Sequence, residues 1–403
     1  MNCRSCRSQN LQPIFSLGKT PLANRLLKKE QLGEIEPFYP LDLVFCEDCS
    51  LVQITETVPP EVLFSDYVYF SSNSDTMIQS ARDLAYHLGK NLGEHSLVLE
   101  IASNDGYLLQ HYKEQGISVL GIDPAQNIAK VANERGIPTL AEFFSSKLAD
   151  QLRTEGKQAD IIHANNVLAH VPDLNGVVKG IATLLKPKGC AVIEVPYVGD
   201  LVETCAFDTI YHEHLCYFSL TALDALFARH NLLITDVERL SIHGGSLRLF
   251  INHAAFATRS NSIRELLDKE KREGLDKLPY YSTFGSKVQD LKQRLLKLLK
   301  EVRQSGKKVA AYGASAKGTT LLTFFGIGKD YLDFVVDRSS VKQGLFTPGT
   351  HLPIYSPQAL IEENPDYVLL LTWNFAEEIM KQQEAYRNQG GRFIIPIPEL
   401  KIL

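Results

Sequence analysis

The sequence predicts an α/β protein that combines a small cysteine-rich N-terminal module with two Rossmann-like domains, the second smaller than the first. Three observations support this expectation. Two Cys-x-x-Cys pairs lie near the N-terminus, and two later stretches each read as strand, glycine-containing turn and helix, followed by a strand ending in aspartate. The expected domains are residues 1–75, 76–235 and 236–403, the last beginning with a helical linker.

Length and composition are those of a globular protein. The 403 residues allow two or three domains of roughly 100–200 residues each. A formal net charge of −5 does not indicate a nucleic-acid or anionic-membrane partner. No apolar run approaches the roughly 18–20 residues that span a bilayer, and the polar N-terminus is unlike a secretory signal. We therefore expect a cytoplasmic protein whose seven cysteines form no structural disulfides.

The N-terminal cysteines form two pairs, Cys3 with Cys6 and Cys46 with Cys49. Each pair fits a tight knuckle that points both thiolates at one ion, and two knuckles complete a tetrahedral zinc site of the structural type. The 39 residues between the pairs must hold a small domain of their own. Redox-active or accidental pairs are the alternative, which a reducing compartment disfavours.

An aromatic and hydroxyl-rich stretch follows at residues 66–74, before a predicted helix from about Asp75 to Leu92. Strand alternation would point Tyr67 and Tyr69 the same way. An edge strand is the simpler interpretation of this stretch, and a substrate-facing loop is the alternative.

The central domain begins with a buried strand at 96–102, a turn at 103–106 and a helix at 107–115, followed by a strand at 118–123. An acid that ends the second strand, about 20 residues after the first turn, is placed to bind ribose hydroxyls. The dinucleotide fingerprint Gly-x-Gly-x-x-Gly is absent.

The pattern Glu100-Ile-Ala102-x-x-x-Gly106 instead resembles motif I of class I S-adenosylmethionine (SAM) methyltransferases, with Ala102 in place of the usual glycine. Further methyltransferase landmarks follow in order at 141–144, 159–166, 168–173 and 184–194. A generic doubly wound domain with another ligand is the alternative. The resemblance implies the following cofactor-binding residues: Glu100, Ala102, Ser103, Asn104, Gly106, Asp123, Pro124, Phe143, Phe144, Asn165 and Asn166.

The run from Tyr211 to Ser219 contains two histidines flanking a glutamate, and on a strand His212 and His214 would share one face. It predicts either a metal site or an acid/base site. The helical zinc signature His-Glu-x-x-His is absent, and methyl transfer from a sulfonium needs no metal. An imidazole with a pKa of about 6.5 suits removal of an activated proton at neutral pH. His170, after the fourth strand, is either a second active-site group or a cap or core residue.

The C-terminal part shows a helical apolar stripe from Phe284 to Val302, interpreted as an interdomain helix. A strand, a glycine turn and a helix start follow at 307–318, and further strands at 334–337 and 367–371. The start of that helix, with Ser315 and Lys317, is suited to bind a diphosphate. The alternative is a packing or dimerisation domain without a ligand.

The motifs taken together resemble the nucleotide-sugar C-methyltransferases of deoxysugar pathways. The resemblance rests on the cysteine knuckles, the Glu-Ile-Ala-Ser-Asn-Asp-Gly turn, Gly-Ile-Asp-Pro-Ala, Ala-His-Val, Tyr-His-Glu-His and His-Gly-Gly-Ser-Leu-Arg, and covers essentially the whole chain. It implies a SAM-dependent enzyme with structural zinc. The implied substrate is a nucleoside-diphosphate 4-keto-6-deoxyhexose, most familiarly dTDP-linked and methylated at C-3.

The same resemblance implies residue roles. His214 is the implied base that generates an enolate. The implied supporting groups are Tyr211, Glu213, His170 and a tyrosine that is Tyr67 or Tyr69, with Tyr67 favoured. The residues expected to contact the substrate are Ser71, Ser72, His243, Arg248, Tyr312, Gly313, Ser315, Lys317 and Asp337.

Three other functions compete with this one. A sugar O-methyltransferase would also need base assistance but no 4-keto group. A zinc-knuckle scaffold without catalysis is compatible with Ala102, although Tyr211, Glu213 and His214 argue against it. An NAD-dependent sugar dehydrogenase is disfavoured by the missing glycine fingerprint.

Overall fold

A computed structural model describes residues 1–59, 62, 63, 72, 75–240 and 244–403. The predicted site residues Tyr67, Tyr69, Ser71 and His243 lie outside the described residues. Strands within the described part form three sheets of four, seven and six strands, which accounts for the predicted α/β class.

The N-terminal sheet is antiparallel and has the order β1-β2-β3-β9. Its strands are β1 (Leu11–Pro21), β2 (Phe38–Cys46), β3 (Val52–Ile54) and β9 (Cys216–Tyr217). The long segment between the cysteine pairs thus supplies β1 and most of β2, as a small domain requires. The fourth strand comes from the run that contains the paired histidines, so that run is bound to the N-terminal sheet by backbone hydrogen bonds.

The central sheet has the order β10-β11-β8-β7-β4-β5-β6. Its strands are β4 (Leu97–Ile101), β5 (Ser118–Ile122), β6 (Thr139–Leu140), β7 (Ala159–Asn165), β8 (Leu185–Pro196), β10 (Leu232–Leu240) and β11 (Ser246–His253). β4 to β8 run parallel, whereas β11 lies antiparallel between β8 and β10. Parallel strands are covered on both faces, which explains the apolar runs that predicted them.

Helices flank the central sheet. They are α1 (Asp75–Gly89), α2 (Leu109–Lys113), α3 (Gln126–Glu134), α4 (Ser146–Thr154), α5 (Leu174–Leu184), α6 (Val198–Glu203) and α7 (Leu220–Ala228). α2 is shorter than the predicted 107–115, because residues 107–108 and 114–115 form turns at its two ends.

The C-terminal sheet has the order β14-β13-β12-β15-β16-β17 and is parallel except for β17. Its strands are β12 (Val309–Tyr312), β13 (Val335–Val336), β14 (Ile354–Tyr355), β15 (Tyr367–Leu370), β16 (Arg392–Ile395) and β17 (Lys401–Ile402). The remaining helices are α8 (Asn261–Glu273), α9 (Phe284–Gln304), α10 (Ala316–Phe325), α11 (Ala359–Glu362), α12 (Ala376–Gln382) and α13 (Glu384–Asn388).

Short 3-10 turns complete the described secondary structure. They are Lys29–Gly33, Leu168–His170, Phe207–Thr209, Ala254–Phe256, Leu278–Tyr281 and Trp373–Phe375. Three of them, at 168–170, 207–209 and 373–375, lie at the candidate functional site described below.

The predicted interdomain helix is confirmed as α9. Its buried side chains repeat at helical spacing: Phe284, Val288, Leu291, Leu295, Leu299 and Val302. The ring of Phe284 packs edge-on against Phe15 of β1, with centroids 5.7 Å apart, so the helix joins the C-terminal part to the N-terminal sheet.

The boundary predicted at 235 falls inside β10, and the central sheet continues through β11 to His253. Among the described helices, none combines the length and apolarity needed to cross a membrane.

Candidate functional site

The four N-terminal cysteines converge on one point. Their sulfur atoms all lie within 4.8 Å of one another, with Cys3 and Cys49 sulfurs 3.5 Å apart and Cys6 and Cys46 sulfurs 3.5 Å apart. In each knuckle a backbone N–H, of Arg7 or Ser50, returns to the carbonyl of the first cysteine. Four thiolates at this spacing fit tetrahedral zinc and leave no position for water.

The turn after β4 has an unusual backbone. Ala102, Asn104 and Gly106 all adopt left-handed φ, at 53°, 49° and 80°. At Gly106 a Cβ atom would lie 2.9 Å from Cγ1 of Ile137, so glycine is required there. Ala102 occupies a conformation that favours glycine, at a cost of roughly 1–2 kcal/mol. The departure from the usual motif is therefore accommodated by backbone strain.

Asp123, at the end of β5, links this turn to the next one. Its Oδ2 accepts a hydrogen bond from the backbone N–H of Asn104, and its Oδ1 accepts one from Ala125, both at 2.9 Å. Burial raises the pKa of Asp123, and these two bonds oppose the rise. The carboxylate that the sequence predicted to grip ribose hydroxyls therefore also fixes both turns beside it.

Several buried polar atoms around this turn have no hydrogen-bond partner within the described part of the chain. They are Glu100 Oε2, Ser103 Oγ, Asp105 Oδ1 and Asn165 Oδ1. Burial raises the pKa of Glu100 well above its ordinary value, and nearby Asp123 adds to the rise. Buried polar groups are normally satisfied, and these lie at the carboxyl ends of β4 and β7, where open α/β sheets bind ligands. The site thus fits a polar ligand such as SAM.

Two side chains from outside the turn after β4 donate hydrogen bonds to Asp105, a residue of that turn. Arg135 donates to Asp105 Oδ2 at 2.7 Å, and the hydroxyl of Ser72 donates to the same oxygen. Ser72, predicted to contact substrate, therefore touches the wall of the cofactor turn.

The remaining predicted cofactor residues differ in exposure. Phe143 is 45% exposed, which leaves its ring available to a ligand. Phe144 instead packs against α5, where a Cβ on Gly180 would lie 2.9 Å from its ring. Asn166 has a φ of 56°, and its N–H donates to Glu194 O at 2.8 Å. Pro124 is half-buried next to Asp123.

The histidine run is a turn, and only its end is a strand. The His214 N–H donates to the carbonyl of Tyr211 at 2.9 Å, which closes the turn. The Tyr211 and His214 rings lie 4.1 Å apart between centroids, and the Tyr211 hydroxyl is 2.9 Å from His214 Nε2.

The hydrogen bonds of His214 define its tautomer. Its Nδ1 lies 2.9 Å from the carbonyl oxygen of Thr209. Because a carbonyl only accepts, Nδ1 carries the proton, and in the neutral ring Nε2 keeps the lone pair. The Tyr211 hydroxyl therefore donates to Nε2. The arrangement holds a basic nitrogen in a fixed direction.

His170 lies beside this base. Its ring meets that of His214 edge-on, with centroids 4.8 Å apart. The two segments are joined because the Leu215 N–H donates to the carbonyl of Ala169 at 2.6 Å. Desolvation lowers the pKa of His170 to about 4, partly opposed by a hydrogen bond with the Glu213 backbone. His170 is therefore neutral at physiological pH and adds no positive charge next to His214.

Glu213 faces the N-terminal domain. Its carboxylate is 4% exposed and accepts hydrogen bonds from Nδ2 of Asn24 at 2.7 and 3.0 Å. Burial raises the pKa of Glu213 to about 7, and the Asn24 bonds oppose the rise.

The expectation that His212 would share a face with His214 is wrong, because residues 211–215 form a turn instead of a strand. His212 Nε2 donates to the carbonyl of Pro40 at 3.0 Å, and its ring contacts Tyr39 edge-on. His212 thus joins the turn to β2 and points away from the Tyr211–His214 pair.

The C-terminal domain repeats the arrangement seen at Asp123. Asp337 follows β13, and its carboxylate accepts hydrogen bonds from Ala314 N at 2.9 Å and Ser339 N at 2.8 Å. Gly313, which precedes Ala314 in the chain, has a φ of 98°, and a Cβ atom there would lie 2.7 Å from the Thr372 side chain. The ammonium group of Lys342 donates to Ala314 O at 2.8 Å and lies 3.5 Å from Asp337.

The other predicted residues of this domain divide between packing and the domain interface. Ser315 caps α10 by accepting from Gly318 N at 3.1 Å. Tyr312 is buried in the C-terminal core. Lys317 extends to Trp373, with its ammonium group 4.9 Å from the ring centroid.

Arg248 is not part of the His214 cluster. Its guanidinium donates to Glu194 at 2.7 Å and to Glu238 at 3.0 Å, in an ion-pair network on β8, β10 and β11. It lines a cavity of about 690 Å³ together with residues of α1, including His87.

Three family models match the chain. They are a putative zinc binding domain over residues 3–64, a methyltransferase domain over 76–237 and a C-methyltransferase C-terminal domain over 241–398. C-methyltransferase NovU of Streptomyces niveus is 37% identical over 407 residues, which cover 100% of this chain and 96% of NovU. The chain belongs to the C-methyltransferase family.

Two further comparisons cover less than half of this C-methyltransferase. The ubiquinone biosynthesis O-methyltransferase of Bordetella avium is 34% identical over 94 residues, 23% of this chain and 39% of that protein. Magnesium protoporphyrin IX methyltransferase from Synechocystis PCC 6803, solved with bound SAM, is 14% identical with a TM-score of 0.34, and the match covers 46% of this chain and 79% of that one.

The C-methyltransferase is SAM-dependent, and its N-terminal cysteine cluster is a zinc-binding site. The central domain has the class I methyltransferase fold, with β11 antiparallel between β8 and β10.

Several residues of the candidate site were not predicted from the sequence: Asn24, Asp208, Thr209, Lys342 and Trp373. The sequence does contain a signal for Trp373, because it is the one tryptophan in the chain and it follows the carboxyl end of a predicted strand. Asn24 and Thr209 carried none, because their contacts are long-range or made through the backbone.

Proposed function

We propose that this C-methyltransferase methylates C-3 of a nucleoside-diphosphate 4-keto-6-deoxy sugar, with thymidine diphosphate the favoured nucleotide, and that His214 is its base. The observation that supports this most is the pair of hydrogen bonds at His214. Nδ1 of His214 donates a hydrogen bond to the carbonyl of Thr209, and Nε2 accepts one from the Tyr211 hydroxyl. The substrate class is inferred from the motifs that resemble nucleotide-sugar C-methyltransferases.

The first step is proton removal. The 4-keto group acidifies the proton on C-3, and Nε2 of His214 takes it, because the bond to Thr209 keeps the lone pair on that nitrogen. Breaking the C–H bond leaves its electron pair in an enolate that spans C-3, C-4 and the keto oxygen. Bound SAM supplies the electrophilic methyl group that C-3 of the enolate receives.

Tyr211 stabilises the charge that develops on the keto oxygen. In the structure its hydroxyl lies 2.9 Å from Nε2 of His214. When a keto oxygen accepts that hydrogen bond instead, Nε2 is left open to the C-3 proton. A donor aimed at a developing oxyanion typically lowers the activation free energy by about 2.7–4 kcal/mol.

The remaining groups support this pair. His170, kept neutral by desolvation, packs against His214 without repelling the imidazolium that forms. Glu213 anchors the turn to the N-terminal domain through Asn24. The motif resemblance adds Tyr67 or Tyr69 to the site. The zinc cluster has a structural role in this scheme, and a cytoplasmic location keeps its thiols reduced.

The C-terminal domain anchors the nucleotide in this proposal. Lys342 is its cation at the glycine turn, and Asp337 organises that turn. Lys342→Ala should weaken binding of thymidine diphosphate at least tenfold, measured by calorimetry. Lys329→Ala, on the surface of the same domain, is the control. Unchanged nucleotide affinity in Lys342→Ala would contradict the anchoring.

The substrate is tested by mass spectrometry with methyl-labelled SAM and a panel of 4-keto nucleotide sugars. We expect one labelled methyl group on carbon and no methylation of sugars whose 4-keto group has been reduced. An O-methyltransferase would instead methylate a hydroxyl of the reduced sugars. In deuterium oxide with the demethylated cofactor product, the C-3 proton should exchange, and His214→Asn should abolish that exchange.

A further inference from the structure

A hydrogen bond connects the C-terminal domain to the segment that carries the base. Nε1 of Trp373, in the turn after β15, donates to Oδ2 of Asp208 at 2.7 Å. Asp208 belongs to the 3-10 turn Phe207–Thr209, which follows α6 in the central domain. The two residues are 165 positions apart in the sequence.

The surroundings of Asp208 are costly for a carboxylate. The residue is fully buried, and its Oδ1 has no hydrogen-bond partner among the residues that the structure describes. Lys317 contributes a favourable charge, since it opposes the rise that burial causes in the pKa of Asp208. Its ammonium group also lies 4.9 Å from the centre of the Trp373 ring. Lys317 and Trp373 of the C-terminal domain compensate the burial of this carboxylate, together with the backbone of Asp208 and Thr209 in its own turn.

The same turn holds His214. The residue after Asp208 is Thr209, whose carbonyl accepts the Nδ1 proton of His214 at 2.9 Å. The residue whose carbonyl orients the base is therefore the chain neighbour of the residue that Trp373 holds. A shift of Asp208 moves this carbonyl, and the ring of His214 with it.

Apolar contacts reinforce the junction. The ring of Phe207 stacks on Phe325 of α10, with centroids 4.8 Å apart and planes at 20°. At Gly244 a Cβ would lie 3.1 Å from the Trp373 ring, so the indole is closely covered. These contacts bury the hydrogen bond, and buried polar pairs are sensitive to loss of either partner.

We propose that Asp208 is a positioning residue for the base, and that Trp373 and Lys317 of the C-terminal domain hold it so that the Thr209 carbonyl fixes the tautomer and direction of His214. The C-terminal domain thereby completes the proton-transfer site of the central domain. This inference rests on the proposed role of His214 as base. It assigns Lys317 to the domain junction.

Trp373→Phe is the first test, because it keeps an aromatic ring and removes the N–H donor together with the pyrrole ring that carries it. Histidine is labelled with nitrogen-15, and the His214 signals are identified by their loss in His214→Asn. We expect wild-type His214 to show a protonated Nδ1 and an unprotonated Nε2, and Trp373→Phe to show a mixture of tautomers. With substrate, kcat should fall at least tenfold while KM for SAM stays within twofold.

Asp208 variants provide a second, graded measurement should Trp373→Phe fail to fold. Asp208→Asn retains an acceptor for the indole and should keep more of the wild-type tautomer and kcat than Asp208→Ala. Tyr386→Phe is the matched control, since it removes a buried hydrogen bond, at 2.8 Å to Pro365 O, inside the C-terminal domain. It should lower the melting temperature without changing the His214 signals or kcat.

The readouts separate this inference from the proposed function. An unchanged His214 tautomer in Trp373→Phe and Asp208→Ala would overturn the positioning role, whatever the activity. A changed tautomer in a protein that methylates no 4-keto sugar would support the positioning role and overturn the proposed function.

Discussion

Nδ2 of Asn24 donates to both carboxylate oxygens of Glu213, at 2.7 and 3.0 Å, across 189 positions of sequence. The bond joins the N-terminal domain to the turn that carries His214. Together with the pairing of β9 with β3, it makes the zinc-binding domain one wall of the candidate site. The zinc cluster therefore lies in the domain to which the turn with His214 is bound.

Glu213 should make stability depend on pH. Its pKa rises from 4.5 to about 7 on folding, so the folded state favours the protonated acid. The resulting contribution to the free energy of unfolding is at most about 3 kcal/mol. It is fully present below pH 4.5 and is lost as the pH rises to about 7. Glu213→Gln should show a smaller loss of stability between pH 4.5 and 8, measured by urea unfolding. Glu134→Gln, on the surface, should keep the wild-type pH dependence. An unaltered pH profile in Glu213→Gln would exclude Glu213 as the source.

His214→Asn should abolish turnover and spare cofactor binding. The asparagine amide replaces the Nδ1–H bond to Thr209 but offers no basic nitrogen at Nε2. We expect kcat to fall by at least about 10³-fold, with unchanged affinity for the demethylated cofactor product by calorimetry. His212→Gln is the neighbouring control, because the glutamine amide keeps the bond to Pro40 O. It should retain kcat within a few-fold. Near-normal turnover in His214→Asn would remove this residue as the base.

Zinc removal should destabilise the N-terminal domain and, through it, the active-site turn. We expect about one equivalent of zinc in the purified protein, and Cys46→Ser should lower both zinc content and melting temperature. Metal analysis and calorimetric unfolding measure the two effects. Cys190→Ser, at a half-buried cysteine of β8 outside the cluster, should retain its zinc. A fully folded and active zinc-free protein would contradict the structural role.

Asp123 and Asp337 provide a matched pair, since each carboxylate holds two backbone N–H groups at the end of a strand. Asp123→Asn should weaken binding of the demethylated cofactor product about 10- to 100-fold, as expected for loss of charged hydrogen bonds worth about 1.5–3 kcal/mol. Asp337→Asn should leave that affinity unchanged and weaken nucleotide binding instead. Equal effects of both variants on both ligands would show that the two sites are not separate.

Local patterns in the sequence were sufficient for much of the fold. The spacing of Cys3, Cys6, Cys46 and Cys49 predicted the cluster, because two short knuckles leave the thiols few directions. Apolar runs ending at Asp123 and Asp337 predicted the turns of both α/β domains. The α9 stripe predicted its buried face. In each case the responsible residues are neighbours in the chain, and the periodicity of strand and helix relates them.

Other features depended on backbone geometry that the sequence shows only weakly. On a strand His212 and His214 would share a face, yet the first half of the run from Tyr211 to Ser219 is a turn, and His212 bonds to Pro40 of β2. Arg248, which was predicted to contact substrate, lies in a motif with a glycine pair, and its guanidinium forms ion pairs with Glu194 and Glu238. The partners that decide these outcomes come from other strands.

The sequence by itself determined the elements, the zinc ligands and, by resemblance, the family, and it predicted the cofactor turn and His214 as the base. Only the tertiary structure decided what holds that base. Asn24 with Glu213, Trp373 with Asp208 and β3 with β9 are pairs separated by more than 150 residues. Such contacts depend on how three domains pack, which no local periodicity encodes. A backbone carbonyl, that of Thr209, fixes the proton on Nδ1 of His214. The turn places that carbonyl, and no side chain in the sequence indicates its role.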